Sequence, residues 1–132
     1  MTAAHFRKLF FVDADLGQPN ISDGTLRICV RNLGITEGHP LYRKPLQSGE
    51  YILYVPSAHL TFFGVLSSRR TMSEYIGDPR LGKFKPISEV EDGPFASHSR
   101  AVDTFNFEGV MDSPKAWVEW TIKSVSVELD VL

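Results

Sequence analysis

The sequence predicts an all-β protein, either an antiparallel β-sandwich or a partly closed barrel. Apolar and polar residues alternate over Thr25–Arg31, and alternation returns close to the C-terminus. Ten glycines and eight prolines separate short apolar runs, as is typical of turns between strands. Residues 60–75 are echoed at 105–120. A barrel that carries one short helix is the second choice of fold.

The echo joins glycines and aromatic residues at matching positions. Its five identities are Phe62, Gly64, Val65, Ser68 and Glu74, which recur as Phe107, Gly109, Val110, Ser113 and Glu119. We interpret residues 60–75 and 105–120 as two copies of one strand-turn-strand unit inside a single domain. A glycine inside a strand indicates a bulge or a close backbone approach, which we expect at Gly64 and Gly109.

The first elements follow from apolar runs and turn formers. His5–Val12 is a short apolar run and predicts a buried strand. The oxygen-rich segment that follows, 13–24, lacks the glycine and glutamate positions of a calcium loop, so we interpret it as a turn. Thr25–Arg31 then predicts a strand with one face in solvent.

The middle of the chain predicts a loop and two more strands. Residues 34–49 predict the loop, and Tyr51–Val55 is β-prone up to Pro56, which ends or bends the strand. Leu60–Leu66 is the next strand. Residues 67–76 fit either a strand or a helix, and the echo favours the strand.

The last third contains a long polar segment and a change of parity. Residues 77–98 predict a loop, interrupted by a short strand near Leu81–Ile87, and its length makes it a candidate binding segment. In the C-terminal strand the apolar positions change from even to odd at Lys123 and Ser124, which predicts a bulge or a bend between sheets.

Composition excludes several classes of protein. The chain has 132 residues, a formal net charge of −2 and dispersed basic residues, which fits one domain and argues against nucleic-acid binding. The single Cys29 excludes an internal disulfide. Neither a secretory signal nor an apolar run long enough to span a membrane is found, so we expect a cytoplasmic protein without a membrane partner.

No catalytic or metal motif is present in the sequence. The four histidines, His5, His39, His59 and His98, lack metal-ligand spacing, and neither a G-x-S-x-G elbow nor a phosphate-binding loop occurs. We therefore predict no catalytic residues, no metal and no cofactor. The histidines and carboxylates that folding could still bring together are His59, His98, Asp103 and Glu119.

Two functions remain, and the first is a non-enzymatic module that binds a protein partner. Its candidate binding residues are Arg69, Arg70, Glu89, Glu91, Asp92 and Trp117. Of the two tryptophans, Trp117 has the parity of an exposed or rim position, whereas Trp120 has the parity of the core. Acidic patches suit a basic partner, although the two arginines suit an acidic one equally well. In general build only, the chain resembles small acidic immunity proteins that neutralise a toxin.

The alternative function is a β-barrel that binds a small apolar ligand, with or without a hydrolase-type activity. Phe62, Phe107, Trp120 and Tyr54 would line its cavity. A homodimer formed by pairing of Tyr51–Val55 across a two-fold axis is compatible with either function.

Overall fold

A computed structural model describes residues 1–43, 51–78 and 84–132. Among these residues the all-β prediction is confirmed: strands dominate, and the helix α1 has four residues. In chain order the elements are α1 (Ala3–Phe6), β1 (Leu9–Phe10), β2 (Asp15–Leu16), β3 (Asn20–Ser22), β4 (Thr25–Thr36), β5 (Ile52–Tyr75), β6 (Phe84–Asp92), β7 (Asp103–Asp112) and β8 (Lys115–Val131).

Five of the strands pair in a ring, so the sheet is a partly closed barrel. β4 pairs with β5, β5 with β8, β8 with β7, β7 with β2 and β2 with β4. The pairing of β2 with β7 is parallel and rests on one register pair, Asp15 with Val110, which makes it the narrowest seam of the ring. β1 and β3 each pair with β4, and β6 pairs with β5 at the other edge of the sheet.

The predicted change of parity near the C-terminus is confirmed. Along β8 the even positions from Ala116 to Ser124 are all buried, Trp117 is the one buried odd position among them, and Val127 then continues the core on an odd position. The register of β5 against β8 shifts between Val65 and Ser67, opposite this change. β5 has an extra residue at that point. Its first half therefore belongs to the ring, and its second half belongs to a four-stranded sheet, β6-β5-β8-β7.

A second change of parity, in β4, was not predicted. Buried Leu26, Ile28 and Val30 occupy even positions, whereas buried Leu33 and Ile35 occupy odd ones. Asn32 has a positive φ of 55°, and the register with β5 passes over it from Arg31 to Leu33. Pro56 lies at the corresponding place in β5, and the strand continues through it.

The N-terminus differs from the prediction of a strand over His5–Val12. Thr2 caps α1, because its Oγ1 accepts a hydrogen bond of 3.0 Å from the His5 amide, and only Leu9–Phe10 is extended. Phe6 thereby enters the barrel, where its ring centroid lies 5.0 Å from that of Phe105 and 5.8 Å from that of Phe107. The prediction of a buried strand is therefore confirmed for burial and wrong for the secondary structure of most of these residues.

The two copies of the echo fold differently. Residues 60–75 lie inside the continuous strand β5, whereas residues 105–120 form the hairpin of β7 and β8. The strand-turn-strand interpretation is therefore not met in the first copy. Gly64 has a φ of +60°, and Gly109 instead allows a close approach, because a Cβ there would lie 3.1 Å from the Leu16 side chain.

The long segment 77–98 contains more strand than its turn formers indicate. β6 covers Phe84–Asp92, which overlaps the end of the predicted Leu81–Ile87 strand, and Leu81 lies outside the described residues. The ambiguous stretch 67–76 is strand up to Tyr75. In the described ranges, no helix has the length and apolar character needed to cross a membrane.

Candidate functional site

The sheet β6-β5-β8-β7 buries one face in the core and exposes much of the other, which we call the outer face. Side chains alternate between the two faces, so the register pairs define rows that cross the four strands. One row joins Glu89, Thr71, Glu119 and Glu108, in strand order. We call this row the acidic row.

The acidic row places carboxylates beside one another. Glu108 of β7 lies directly opposite Glu119 of β8, and directly opposed residues of an antiparallel pair have Cβ atoms about 4.5–5.5 Å apart. Thr71 of β5 separates Glu119 from Glu89 of β6. Like charges placed opposite one another destabilise a sheet, so the row costs folding free energy.

The carboxylates of the row remain open to solvent. Glu89, Glu108 and Glu119 are all exposed, and none of them takes part in an ion pair among the residues that the structure describes. The Trp117 indole N–H donates a hydrogen bond of 3.1 Å to Glu108 Oε2, which orients that carboxylate. Glu108 and Glu119 also line a shallow groove of about 190 Å³.

Of the candidate residues from the sequence, Arg69 and Glu91 lie together on the outer face, in the row next to the acidic row. Arg69 Nη2 lies 2.7 Å from Glu91 Oε1, with both side chains more than half exposed. This hydrogen bond, together with the charges of Glu91 and Glu89, raises the pKa of Arg69 above its usual value. The candidate cation and the candidate carboxylate therefore largely satisfy each other.

Arg70 and Asp92 face the opposite way and are buried, which makes them unsuitable as surface binding residues. Their side chains are 8% and 4% exposed, and Arg70 Nη2 lies 2.7 Å from Asp92 Oδ1. Ser68 donates a hydrogen bond of 2.6 Å to Asp92 Oδ2 and accepts one of 2.9 Å from the Trp120 indole. The Arg70 guanidinium also lies over the Trp120 ring, 5.1 Å from its centroid. Arg70 shares its parity with buried Ser68 and Met72 and so points to the core side, and a buried pair is how a core accepts such a charge.

Trp117 is on the outer face, as its parity predicts, but the expectation of exposure is wrong. The side chain is 4% exposed, and its ring stacks on Phe84 of β6 with centroids 5.2 Å apart. The sequence could not show this contact, because Phe84 begins a strand more than thirty residues earlier in the chain. Trp117 therefore packs against Phe84 and orients Glu108 of the acidic row, and it does not offer an exposed aromatic surface.

Sequence reasoning did not select Glu108, and it named Glu119 only as one of four groups that folding could bring together, not as a binding residue. A signal for them was present: Phe105 and Phe107 point to the core, so Glu108 has to point outward, and the same parity holds for Glu119 beside Trp120. What the sequence lacked was the register that places the two carboxylates opposite each other.

On another face of the barrel, Cys29 of β4, His59 of β5 and Asp130 of β8 share one row. Within the described residues, no hydrogen bond connects these three side chains. The Cys29 thiol lies instead 3.9 Å from Ser57 Oγ. The row therefore has the residue types of a nucleophile, a base and a carboxylate, without the contacts that would activate the thiol.

The four groups that folding could have gathered do not form one cluster. His98 contacts Gly64, His59 belongs to the Cys29 row, and Glu119 belongs to the acidic row. Asp103 begins β7, opposite Ser124. Across the described ranges, no group of three or more His, Cys, Asp or Glu side chains is arranged to hold a metal ion.

Comparison with protein-family models, curated proteins and solved structures finds no match to this chain.

Proposed function

We propose that this protein is a non-catalytic interaction module that binds a basic protein through the acidic row. The observation that carries the proposal is the direct opposition of Glu108 and Glu119, with Glu89 in the same row. A lysine or arginine of a partner placed between these carboxylates would relieve their repulsion and gain charge-assisted hydrogen bonds. Such a module is immunity-like only in the sense that it acts by occupying its partner.

The setting of the row supports a macromolecular partner. A four-stranded sheet presents a broad surface, and beside the row Thr121 Oγ1 donates a hydrogen bond of 2.8 Å to Asn106 Oδ1. The groove between Glu108 and Glu119 has room for the end of one long side chain and not for a large ligand. Charge complementarity at such a surface sets the association rate and the choice of partner.

The packing of the barrel weighs against the small-ligand alternative. Phe62, Phe107 and Trp120 belong to the core, and the ring of Phe107 stacks on that of Trp120 with centroids 5.4 Å apart. Phe6 enters the same cluster from α1. The fourth proposed lining residue, Tyr54, instead donates a hydrogen bond of 2.8 Å to Asp13 Oδ2 at the surface. The aromatic residues thus fill the space that a ligand would need.

Hydrolase-type chemistry has less support than binding. A carboxylic acid that donates a proton at neutral pH depends on burial to keep that proton. Glu108 and Glu119 are exposed on an open sheet face, where water reaches both. We also propose a cytoplasmic location, to which a single, exposed cysteine is suited.

The test is the loss of a partner when the row is neutralised. The variant Glu89→Gln/Glu108→Gln/Glu119→Gln removes three charges, and the control variant Glu37→Gln/Glu128→Gln/Asp130→Asn removes three exposed charges elsewhere. Wild type and both variants are immobilised, and proteins captured from a lysate of the source are quantified by mass spectrometry. We expect a basic protein on wild type and control that is depleted at least tenfold on the row variant.

Binding is then measured with the purified partner at two salt concentrations. An electrostatic contact weakens when the Debye length shortens from about 10 Å at 0.1 M to about 3 Å at 1 M salt. A partner that binds both variants equally, or whose Kd does not respond to salt, contradicts the proposal. Light scattering on the same samples measures the mass and decides whether the protein forms a homodimer, as the pairing of Tyr51–Val55 across a two-fold axis requires.

A further inference from the structure

The segment between β6 and β7, residues 93–102, is held on the barrel by two side chains. We call it the strap. Phe95 packs against the core, and its ring lines a groove of about 500 Å³ that also contains Ser67, Ser68, Arg69 and Asp92. His98 is the second anchor. Most of the remaining strap residues are exposed, so these two contacts carry its attachment.

Both ring nitrogens of His98 are used. Nε2 lies 2.9 Å from the carbonyl oxygen of Gly64, and Nδ1 accepts a hydrogen bond of 3.2 Å from the amide of Arg100. A carbonyl oxygen only accepts and an amide N–H only donates, so Nε2 has to carry the proton while Nδ1 stays bare. The contacts therefore specify the neutral imidazole in one tautomer.

The Gly64 carbonyl is available for this contact because β5 bulges there. Gly64 has a φ of +60°, and the register of β5 with β8 shifts just beyond it. The Val65 amide turns instead to the carbonyl oxygen of Gly24, at a distance of 3.0 Å. The bulge thus leaves a backbone acceptor outside the ladder, at the place where the strap crosses.

We propose that the strap is a pH-sensitive element, which neutral His98 fastens to the bulge of β5 and which protonation of His98 loosens. A proton on Nδ1 would face the Arg100 N–H, so that one hydrogen bond is lost and two donors oppose each other. Histidine is the side chain that changes its charge between pH 5 and pH 8. Loosening the strap would move Phe95 and widen the groove above Ser68 and Asp92.

Charged groups from neighbouring elements bear on the same imidazole. Arg100 belongs to the strap, and its guanidinium reaches within 3.7 Å of the position that a Cβ on Gly64 would take. The other charged residues on the adjoining turn and strands are Asp23, Asp103 and Lys123. In the described part of the chain, none of them forms an ion pair with His98.

Hydrogen exchange of the intact protein tests the proposal. Exchange is followed by mass spectrometry at pH about 7.5 and pH about 5.5, which bracket the titration of a histidine, with correction for the intrinsic pH dependence. We expect protection of the Arg100 amide, which donates its hydrogen bond to His98 Nδ1, to fall at least threefold at the lower pH, while protection of β7 is unchanged. Equal corrected protection of the strap at both pH values would overturn the proposal.

Two variants separate the imidazole from the rest of the strap. His98→Asn keeps an acceptor near the Nδ1 position and His98→Gln keeps a donor near the Nε2 position, and neither side chain titrates. We expect strap protection in both variants to become independent of pH. A pH response that persists in either folded variant contradicts a role for His98. Nitrogen NMR of the wild type gives an independent measurement, since a neutral ring protonated at Nδ1 would also overturn the proposal.

Discussion

Two consecutive arginines of β5 show how position in a strand decides the role of a residue. Arg69 points to solvent and pairs with Glu91, whereas Arg70 points to the core and pairs with Asp92. An exposed pair contributes little, because water screens it. A buried pair is different: neither member can lose the other without leaving a desolvated charge. The same dipeptide thus combines a surface charge with a structural one.

Removal of one member of the buried pair should destabilise the protein strongly. We expect Asp92→Asn to lower the free energy of unfolding by about 3–5 kcal/mol, because Arg70 keeps its charge in the core without a counter-charge. The double variant Arg70→Met/Asp92→Asn removes both charges and should be more stable than Asp92→Asn alone. Urea unfolding followed by tryptophan fluorescence measures both.

The neighbouring surface pair is the matched control for this experiment. Arg69→Gln removes an equal charge one residue away, and the midpoint of its urea transition should stay at the wild-type value. Two outcomes would show that the buried pair does not carry the energy assigned to it. One is that Asp92→Asn unfolds at the wild-type midpoint. The other is that the double variant loses as much free energy of unfolding as Asp92→Asn and Arg70→Met lose in sum.

His39 gives the protein a second dependence on pH, separate from that of the strap. Burial, followed by the charges of His5 and of the N-terminal amine, lowers its pKa below the ordinary 6.5. The unfolded chain then binds a proton at a higher pH than the folded chain. The stabilisation from neutral His39 is therefore present above pH about 6.5 and is lost as the pH falls through the folded-state pKa.

We expect the melting temperature of wild type to drop between pH about 7 and pH about 5, and the drop to be smaller in His39→Asn. Asparagine can still accept the hydrogen bond from the Leu41 amide, which Nδ1 accepts at 3.1 Å in the wild type. His5→Asn removes only a neighbouring charge and should reduce the drop without abolishing it. A drop of full size in His39→Asn would assign it to other groups. Calorimetry at each pH is the measurement.

At the scale of the element, glycine marks irregular strand positions for two different reasons. Gly64 is needed because of its positive φ and because a Cβ there would lie 2.6 Å from Val125 Cγ2. Gly109 has an ordinary backbone and is needed because Leu16 and the Phe11 carbonyl lie close above it. The echo in the sequence therefore aligned two residues of the same type whose structural roles differ.

Substitution at Gly64 tests this distinction. Gly64→Ala should lower the free energy of unfolding by about 2–4 kcal/mol, since it combines about 1–2 kcal/mol for the left-handed backbone with overpacking against Val125. Gly24→Ala is the control: its φ is +76°, but no heavy atom lies within 4 Å of the added Cβ. Only the backbone cost applies there. Equal losses in the two variants would show that Val125 moves aside freely.

What the sequence predicted at this scale depended on alternation. The strand Thr25–Arg31, the core parity of Trp120, and the parity change near Ser124 all follow from side chains that point alternately to two faces. Alternation says nothing about which strand lies opposite. The Glu108–Glu119 pair, the Arg70–Asp92 pair and the Phe84–Trp117 stack depend on register between distant segments, and that is where the prediction of the site was incomplete.

At the scale of the molecule, side-chain packing closes the barrel more than backbone hydrogen bonds do. The seam between β2 and β7 has one register pair, supported by the bond of 3.3 Å from the Val110 amide to the Ala14 carbonyl. Phe6 lies against Phe11 and Phe107, and Leu16 of β2 lies on Gly109 of β7. Packing across the seam therefore holds β2 against β7, as a longer ladder of backbone hydrogen bonds holds the strands together elsewhere in the ring.

Removal of the Phe6 ring should loosen the seam before it affects the rest of the ring. Phe6 is 3% exposed, and Phe6→Ala is expected to cost about 3–5 kcal/mol, as large-to-small changes of buried aromatic residues do. Local opening should follow, so hydrogen exchange at Val110 should accelerate more than exchange at Phe62, in the middle of β5. Phe63→Ala, at a ring that is 36% exposed on the other face of that strand, is the control and should leave the exchange of Val110 at its wild-type rate. Uniform acceleration at Val110 and Phe62 would mean that the seam has no local stability of its own and that the barrel opens only by global unfolding.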